Sequence, residues 1–207
     1  MRIIDISPAV SPRLGVWPGD VAFALEETWR MADGASVNLG AIRTTLHLGA
    51  HADAPKHYDR SGADIGARSL TPYLGPCQVI EVAATRGARI HPHDLMASIA
   101  APRVLFKTGT FPDPDRFTTD FAALSAALID HLYDNRSLLV GIDTPSIDLF
   151  EDKILESHNA VRRHGLSVLE GLVLAHVPPG RYTLVALPLR LEGADASPVR
   201  AVLLEEM

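Results

Sequence analysis

Only one cysteine, Cys77, occurs in the chain, so no intrachain disulfide can form, which fits a reducing cytosol. With Val79, Ile80 and Val82 beside it, Cys77 reads as an inert buried thiol. No apolar run reaches the roughly 18 residues that a membrane span needs. No basic run interrupts a formal net charge of −6, which argues against a nucleic-acid binder. The opening Met1-Arg2-Ile3-Ile4-Asp5 places a charge before any signal-peptide apolar region could develop. Repeats and low-complexity segments are missing too. These absences predict a cytoplasmic protein with no membrane and no nucleic-acid partner. The remaining composition, 47% hydrophobic and 21% charged, is ordinary, and 207 residues suffice for one buried core. A single domain over residues 1–207 is expected.

Histidine is where the chain is unusual. Residues 47 to 57 read His-Leu-Gly-Ala-His-Ala-Asp-Ala-Pro-Lys-His, holding three of the nine histidines. His47, His51, Asp53 and His57 share one parity, so an extended backbone would point all four to one side. Gly49 and Pro55 weigh against a helix here. A straight strand would nevertheless carry Asp53 about 20 Å from His47. Ligands of one ion must converge to roughly 2.0–2.2 Å from it. The segment must therefore bend, and Gly49 with Ala50, Ala52 and Ala54 leaves room for that. Two imidazoles and a carboxylate suit Zn, Mn, Fe or Co rather than Ca or Cu(I).

Two further donors stand out downstream. Residues 152–163 predict a helix carrying His158, with Gly165 as its stop. Residues 166–174 form an apolar run interrupted at Glu170, a carboxylate costly to bury without a partner. A metal ion would meet that need, and the competing reading is a strand with Glu170 on its wet face. Unbroken helix would part His158 from Glu170 by about 18 Å, but the Gly165 turn lets the second piece fold back.

Around these pieces the chain reads as strands at 2–6, 37–48, 77–83, 103–108, 138–142, 182–189 and 199–204. Helices are expected at 93–100 and 152–163, and most clearly at 120–134. In the last, Phe121, Leu124, Leu128 and Leu132 recur at helical steps, and Thr118 or Thr119 is a candidate cap. His91 and His93 read as surface residues and His131 as a helix-end cation. Asp143, before Thr144-Pro145, reads first as a turn former and second as a group behind a metal site. Trp17 lies in a proline- and glycine-dense loop over residues 8–20; it could cover an aromatic ligand or pin the loop, while Trp29 reads as structural. The mixed order of elements predicts α+β, a curved mixed sheet with helices outside.

His47-Leu48-Gly49-Ala50-His51-Ala52-Asp53-Ala54-Pro55-Lys56-His57 resembles the His-x-Gly-Thr-His-x-Asp-x-Pro-x-His signature of the cyclase-like metal hydrolases, and among them the bacterial kynurenine formamidases. Ala50 stands where the wider superfamily usually has Thr, which removes a hydroxyl but no ligand. The resemblance extends through Trp17-Pro18-Gly19-Asp20, Gly141-Ile142-Asp143-Thr144-Pro145-Ser146, His158, Leu169-Glu170-Gly171-Leu172 and Asp195-Ala196-Ser197-Pro198-Val199-Arg200. It implies a cyclase-like swivelling β/β/α fold, commonly homodimeric, with two divalent ions per subunit, zinc foremost and manganese second. His47, His51 and Asp53 would then hold the first ion, Asp53 and Glu170 would reach both, and His158 would complete the second. His57 would be the catalytic proton shuttle, its competing role being a sixth ligand. Trp17 would contact an aromatic small-molecule substrate, and the implied reaction is hydrolysis of N-formyl-L-kynurenine to L-kynurenine and formate. The alternatives are a related cyclic amide or lactone hydrolase, such as isatin hydrolase, and a metal-binding module without catalysis.

Overall fold

In a computed structural model that describes residues 1–205, regular structure begins with strands β1 (Arg2–Asp5), β2 (Ala24–Trp29), β3 (Leu39–Arg43) and β4 (His51–Asp53). A single helical turn, α1 (Pro55–Tyr58), leads to β5 (Leu74–Glu81), β6 (Arg89–Ile90), β7 (Arg103–Lys107) and β8 (Ala123–Leu124). Then come α2 (Ala126–Asp134), β9 (Leu139–Ile142), α3 (Glu156–His164), β10 (Ser167–Glu170), β11 (Gly180–Val185), β12 (Ala196–Pro198) and β13 (Val202–Glu205). Nine strands form one mixed, curved sheet in the order β1-β13-β11-β5-β7-β9-β10-β4-β12. Its centre, β5 to β10, is parallel, and antiparallel pairs flank it on both sides.

Buried parallel strands carry apolar side chains on both faces, and the pleat divides them. In β7, Val104 and Phe106 join the layer under α2 and α3, with Leu128, Leu132 and Val161. Leu105 points the other way, into the layer with Val79, Leu169, Leu184 and Leu203. β9 and β10 contribute to both layers and β4 contributes Ala52 to the second, so apolar packing fixes the strands that carry Glu170, His51 and Asp53. Among the described residues no helix is long and apolar enough to cross a membrane.

Several local expectations change. The expected strand over 37–48 stops at Arg43, because β2 and β3 form a separate ribbon exposed on both faces. Trp29 lies on that ribbon, 57% exposed, and packs in no core. The helix expected over 93–100 is only a 3-10 turn at Pro92–Asp94. The helix expected over 120–134 starts at Ala126, capped by Ser125 rather than Thr118 or Thr119. Phe121 and Leu124 are buried as expected, but Leu124 lies in β8, paired with β6. The helix expected from residue 152 starts at Glu156, because Asp152 accepts from the amides of Ile154, Leu155 and Glu156 as a loop anchor. It stops at Gly165, as expected.

Candidate metal centre

Of the histidine segment, only His51 to Asp53 is strand. β4 lies between β10 and β12, with His51 opposite Glu170 and Asp53 opposite Ala196. The parity argument thus holds for His51 and Asp53 alone. His47 precedes a bend and arrives by a different route. Gly49 turns the chain at φ +54°, and its carbonyl packs so closely on Gly171 that a Cβ at 171 would lie 2.1 Å from the Gly49 oxygen. Gly171 itself takes φ +64°, so any side chain there meets both strain and collision. The contact presses the His47 bend against the end of β10, beside Glu170. Pro55, weighed above as a helix breaker, occupies the first position of α1, where proline is tolerated. His57 therefore sits on a helical turn.

The five expected ligands meet. His47 Nδ1 is 3.1 Å and His51 Nε2 3.5 Å from Asp53 Oδ1. His51 Nε2 is 3.3 Å from Glu170 Oε2. On the other side, His158 Nε2 is 3.2 Å from Asp53 Oδ2 and 3.5 Å from Glu170 Oε1. Each carboxylate thus turns one oxygen to the His47–His51 side and the other to His158. His51, Asp53, His158 and Glu170 are buried, and His47 is half-buried. Glu170 is not on a wet face; Oε1 also accepts from the amide of Ile147 at 2.7 Å.

The outer ring nitrogens show why these rings point inward. Each is held by an oxygen: His51 Nδ1 by the Gly49 carbonyl at 2.8 Å, His158 Nδ1 by Asp148 at 2.8 Å, and His47 Nε2 by Asp195 at 3.2 Å. A ring that donates its outer N–H keeps a lone pair on the inner nitrogen, the arrangement metal-bound histidines adopt. Asp148 and Asp195 escaped the sequence reading. Asp195 opens one of the motif-bearing stretches and Asp148 lies two residues beyond another, but neither shows in sequence which histidine it meets. Asp148 also accepts from the backbone amides of Ser157 and His158, so it anchors the first turn of α3 along with the ring.

Charge in the cage is incomplete without a cation. His51 Nε2 and Asp53 Oδ1 are buried without a hydrogen-bond partner, although such atoms are costly to leave unsatisfied. Burial alone would lower the pKa of His47, but Asp53, Asp195 and Glu170 outweigh it and raise it to about 9. Burial likewise opposes protonation of His158, yet Asp148, Asp53 and Glu170 raise it to about 10. Asp53 shows the converse: burial pushes it up, and the His158 and His47 rings hold it well below the carboxylate range. Two donors about 2.1 Å from one tetrahedral ion stand roughly 3.4 Å apart, close to the spacings seen here. The residues present therefore fit divalent metal: His47, His51 and Asp53 bring one donor atom each within 4.8 Å of one another, as do Asp53, His57 and His158, and Glu170 lies beside them, 3.3 Å from His51 and 3.5 Å from His158. His57 has one ligand atom within 4.8 Å of those of Asp53 and His158, so both roles open to it in the sequence remain geometrically available.

The cage opens on a cavity lined by His47, His51, Trp17, Phe111, Phe117 and Asp143. Trp17 packs at ring-centroid distances of 4.8 Å from Phe150 and 5.6 Å from Phe117, so it both pins its loop and faces the cavity. Asp143 makes no hydrogen bond to the cage histidines; it accepts from Thr108 and Gly109 instead.

The Cyclase family model, described as "Putative cyclase", matches residues 4–149, more than half of the chain, including the whole histidine segment. It ends before His158, Glu170 and Asp195. A potential metal-dependent hydrolase with cyclase activity superposes at a TM-score of 0.82 with 27% identity, over 98% of this chain and 96% of its own. A predicted metal-dependent hydrolase from Bacillus stearothermophilus gives 0.81 and 28%, over 98% and 97%. An isatin hydrolase bound to the product analogue thioisatinate gives 0.83 at 19% identity, over 99% and 92%, a likeness of fold.

Proposed function

The chain belongs to the cyclase family, and from that premise we propose that it is a metal-dependent amidohydrolase cleaving N-formyl-L-kynurenine to L-kynurenine and formate. The observation that carries the hydrolase reading is the two-sided sharing of Asp53 and Glu170 between the His47–His51 pair and His158, beside an aromatic cavity. The aryl formamide rests on the motif resemblance, with Trp17, Phe111 and Phe117 as the surface for its ring.

In this reading His47, His51, Asp53, Glu170 and His158 hold two divalent ions, zinc first and manganese second. Such ions supply Lewis acidity, making water more acidic and polarising the formyl carbonyl. Asp148 and the Gly49 carbonyl keep the His158 and His51 rings turned inward. His57 removes the proton from the attacking water and returns it to the departing aryl nitrogen. A C–O bond forms, the C–N bond breaks, and the proton ends on the amine. The apolar wall of Leu172, Val173 and Leu174 limits water on the ring side. A homodimer is part of the same reading, checked by light scattering.

The test compares hydrolysis of N-formyl-L-kynurenine and isatin by zinc-loaded, manganese-loaded and chelated protein. Formylkynurenine should have the higher kcat/KM, and chelation should abolish turnover. Faster isatin turnover would replace the substrate, and a fully active metal-free protein would remove the metal. Stoichiometric metal with neither substrate consumed would leave a binding module.

A further inference from the structure

We propose that Asp195 is a positioning residue for His57, fixing the tautomer of the shuttle ring through the same carboxylate oxygen that holds His47. The proposal rests on the hydrolase reading for its kinetic consequence, but not for its geometry. Asp195 Oδ2 lies 3.4 Å from His57 Nδ1 and 3.2 Å from His47 Nε2. The two rings stand 4.2 Å apart between centroids, so one oxygen bridges them. In the side-chain bonds among the described residues, the His57 ring has no other partner. Its side chain is 35% exposed, and its remaining neighbours are rings, His47 at 4.2 Å, His158 at 5.9 Å and Tyr58 at 6.4 Å between centroids, which pack against it without selecting a tautomer.

Asp195 is itself placed by backbone. Its carbonyl accepts from Ala54 N at 2.8 Å, and the next residue, Ala196, pairs with Asp53 across β12 and β4. The strand that presents Asp53 to the metal cage therefore has, as its neighbour, the strand that presents Asp195 to the shuttle. A neutral imidazole has one donor and one acceptor nitrogen. Donation from Nδ1 to Asp195 leaves the Nε2 lone pair of His57 free to accept a proton from water. An isolated surface ion pair would have little effect; this carboxylate instead selects which nitrogen does chemistry.

The zinc-loaded protein tests this through Asp195→Ala and Asp195→Asn. Orienting partners of this kind typically change metal affinity or activity by about 10–100-fold; because Asp195 also holds His47, the assay is run at saturating zinc, where Asp195→Ala should still lose that much in kcat with KM little changed. Asp195→Asn, whose amide oxygen can still accept one ring N–H, should recover part of the loss. In a His57→Ala background, Asp195→Ala should cost nothing further, because the two act as a unit. Nitrogen-15 NMR of the imidazole should show the His57 proton on Nδ1 in the parent and redistributed in Asp195→Ala. A loss of kcat that tracks zinc occupancy and disappears at saturating zinc would place the effect of Asp195 on His47 alone and overturn the proposal. An undiminished effect in the His57→Ala background, or an unaltered tautomer, would overturn it equally. If the parent consumes neither substrate, the hydrolase reading falls while the tautomer measurement still decides the role of Asp195.

Discussion

Asp53 and Asp143 are both buried carboxylates, at the ends of strands two places apart in the same sheet, and their surroundings are opposite. Asp143 is saturated. Both oxygens accept from the amide of Thr108, Oδ1 from its hydroxyl at 2.6 Å, and Oδ2 from the amide of Gly109 at 2.9 Å. It staples the end of β7 to the end of β9, and its pKa is raised by burial despite those donors. Among the described residues, no backbone amide donates to the Asp53 side chain. Its Oδ1 is buried without a hydrogen bond, and its pKa is held down by histidine rings. A completed network belongs to the fold, whereas one that ends on bare lone pairs belongs to a ligand.

The largest break in this contrast is Asp53→Ala. Losing the carboxylate that faces both His47 and His158 should remove several kcal/mol of charge stabilisation, a fall in kcat/KM of order 10⁴ or more, together with zinc. Asp143→Ala should keep full zinc stoichiometry; elemental analysis of both variants checks the pair. Next, His57→Ala should retain its zinc and lose on the order of 10²–10³-fold in kcat, measured at saturating substrate. A zinc-depleted His57→Ala would make His57 the sixth ligand.

Protons sharpen the comparison further. In the metal-free protein, neighbouring carboxylates keep His47 and His158 protonated up to about 9 and 10, so zinc must displace those protons. Affinity should rise with pH, by up to about tenfold per unit for each proton displaced, and flatten above pH 9–10. Competition titration with a chromophoric chelator from pH 6 to 9 follows this, and a flat profile would deny the displacement. The smallest effect concerns the staple. Asp143→Ala leaves the Thr108 and Gly109 amides unsatisfied and should cost about 3 kcal/mol of stability. Zinc should still raise the melting temperature of Asp143→Ala as it does that of the parent, because metal binding stabilises only the folded state. Differential scanning calorimetry with and without zinc reads both.

The donor set was legible in the chain because it is unusual: four same-parity His and Asp groups in eleven residues, then a carboxylate inside an apolar run. Strand cores were legible for a similar reason, since Val104, Leu105 and Phe106 form a short apolar run, and the two-faced sheet buries all three. Helix starts were not. Phe121 and Leu124 fall at helical spacing, yet the pairing of β8 with β6 takes Leu124, and the hydroxyl of Ser125 begins α2 one residue later. Periodicity counts apolar residues without distinguishing a helix face from a buried two-residue strand.

The sequence by itself determined which atoms could bind a cation and that the backbone around Gly49 had to bend. Only the tertiary structure decided how they meet, because the contacts that aim them are remote along the chain. Gly171 pins the His47 bend, Asp148 turns His158 from ten residues away, and Asp195 reaches His57 across 138. Ring orientation is a property of the acceptor on the far side of each ring, and sequence spacing carries no record of that partner.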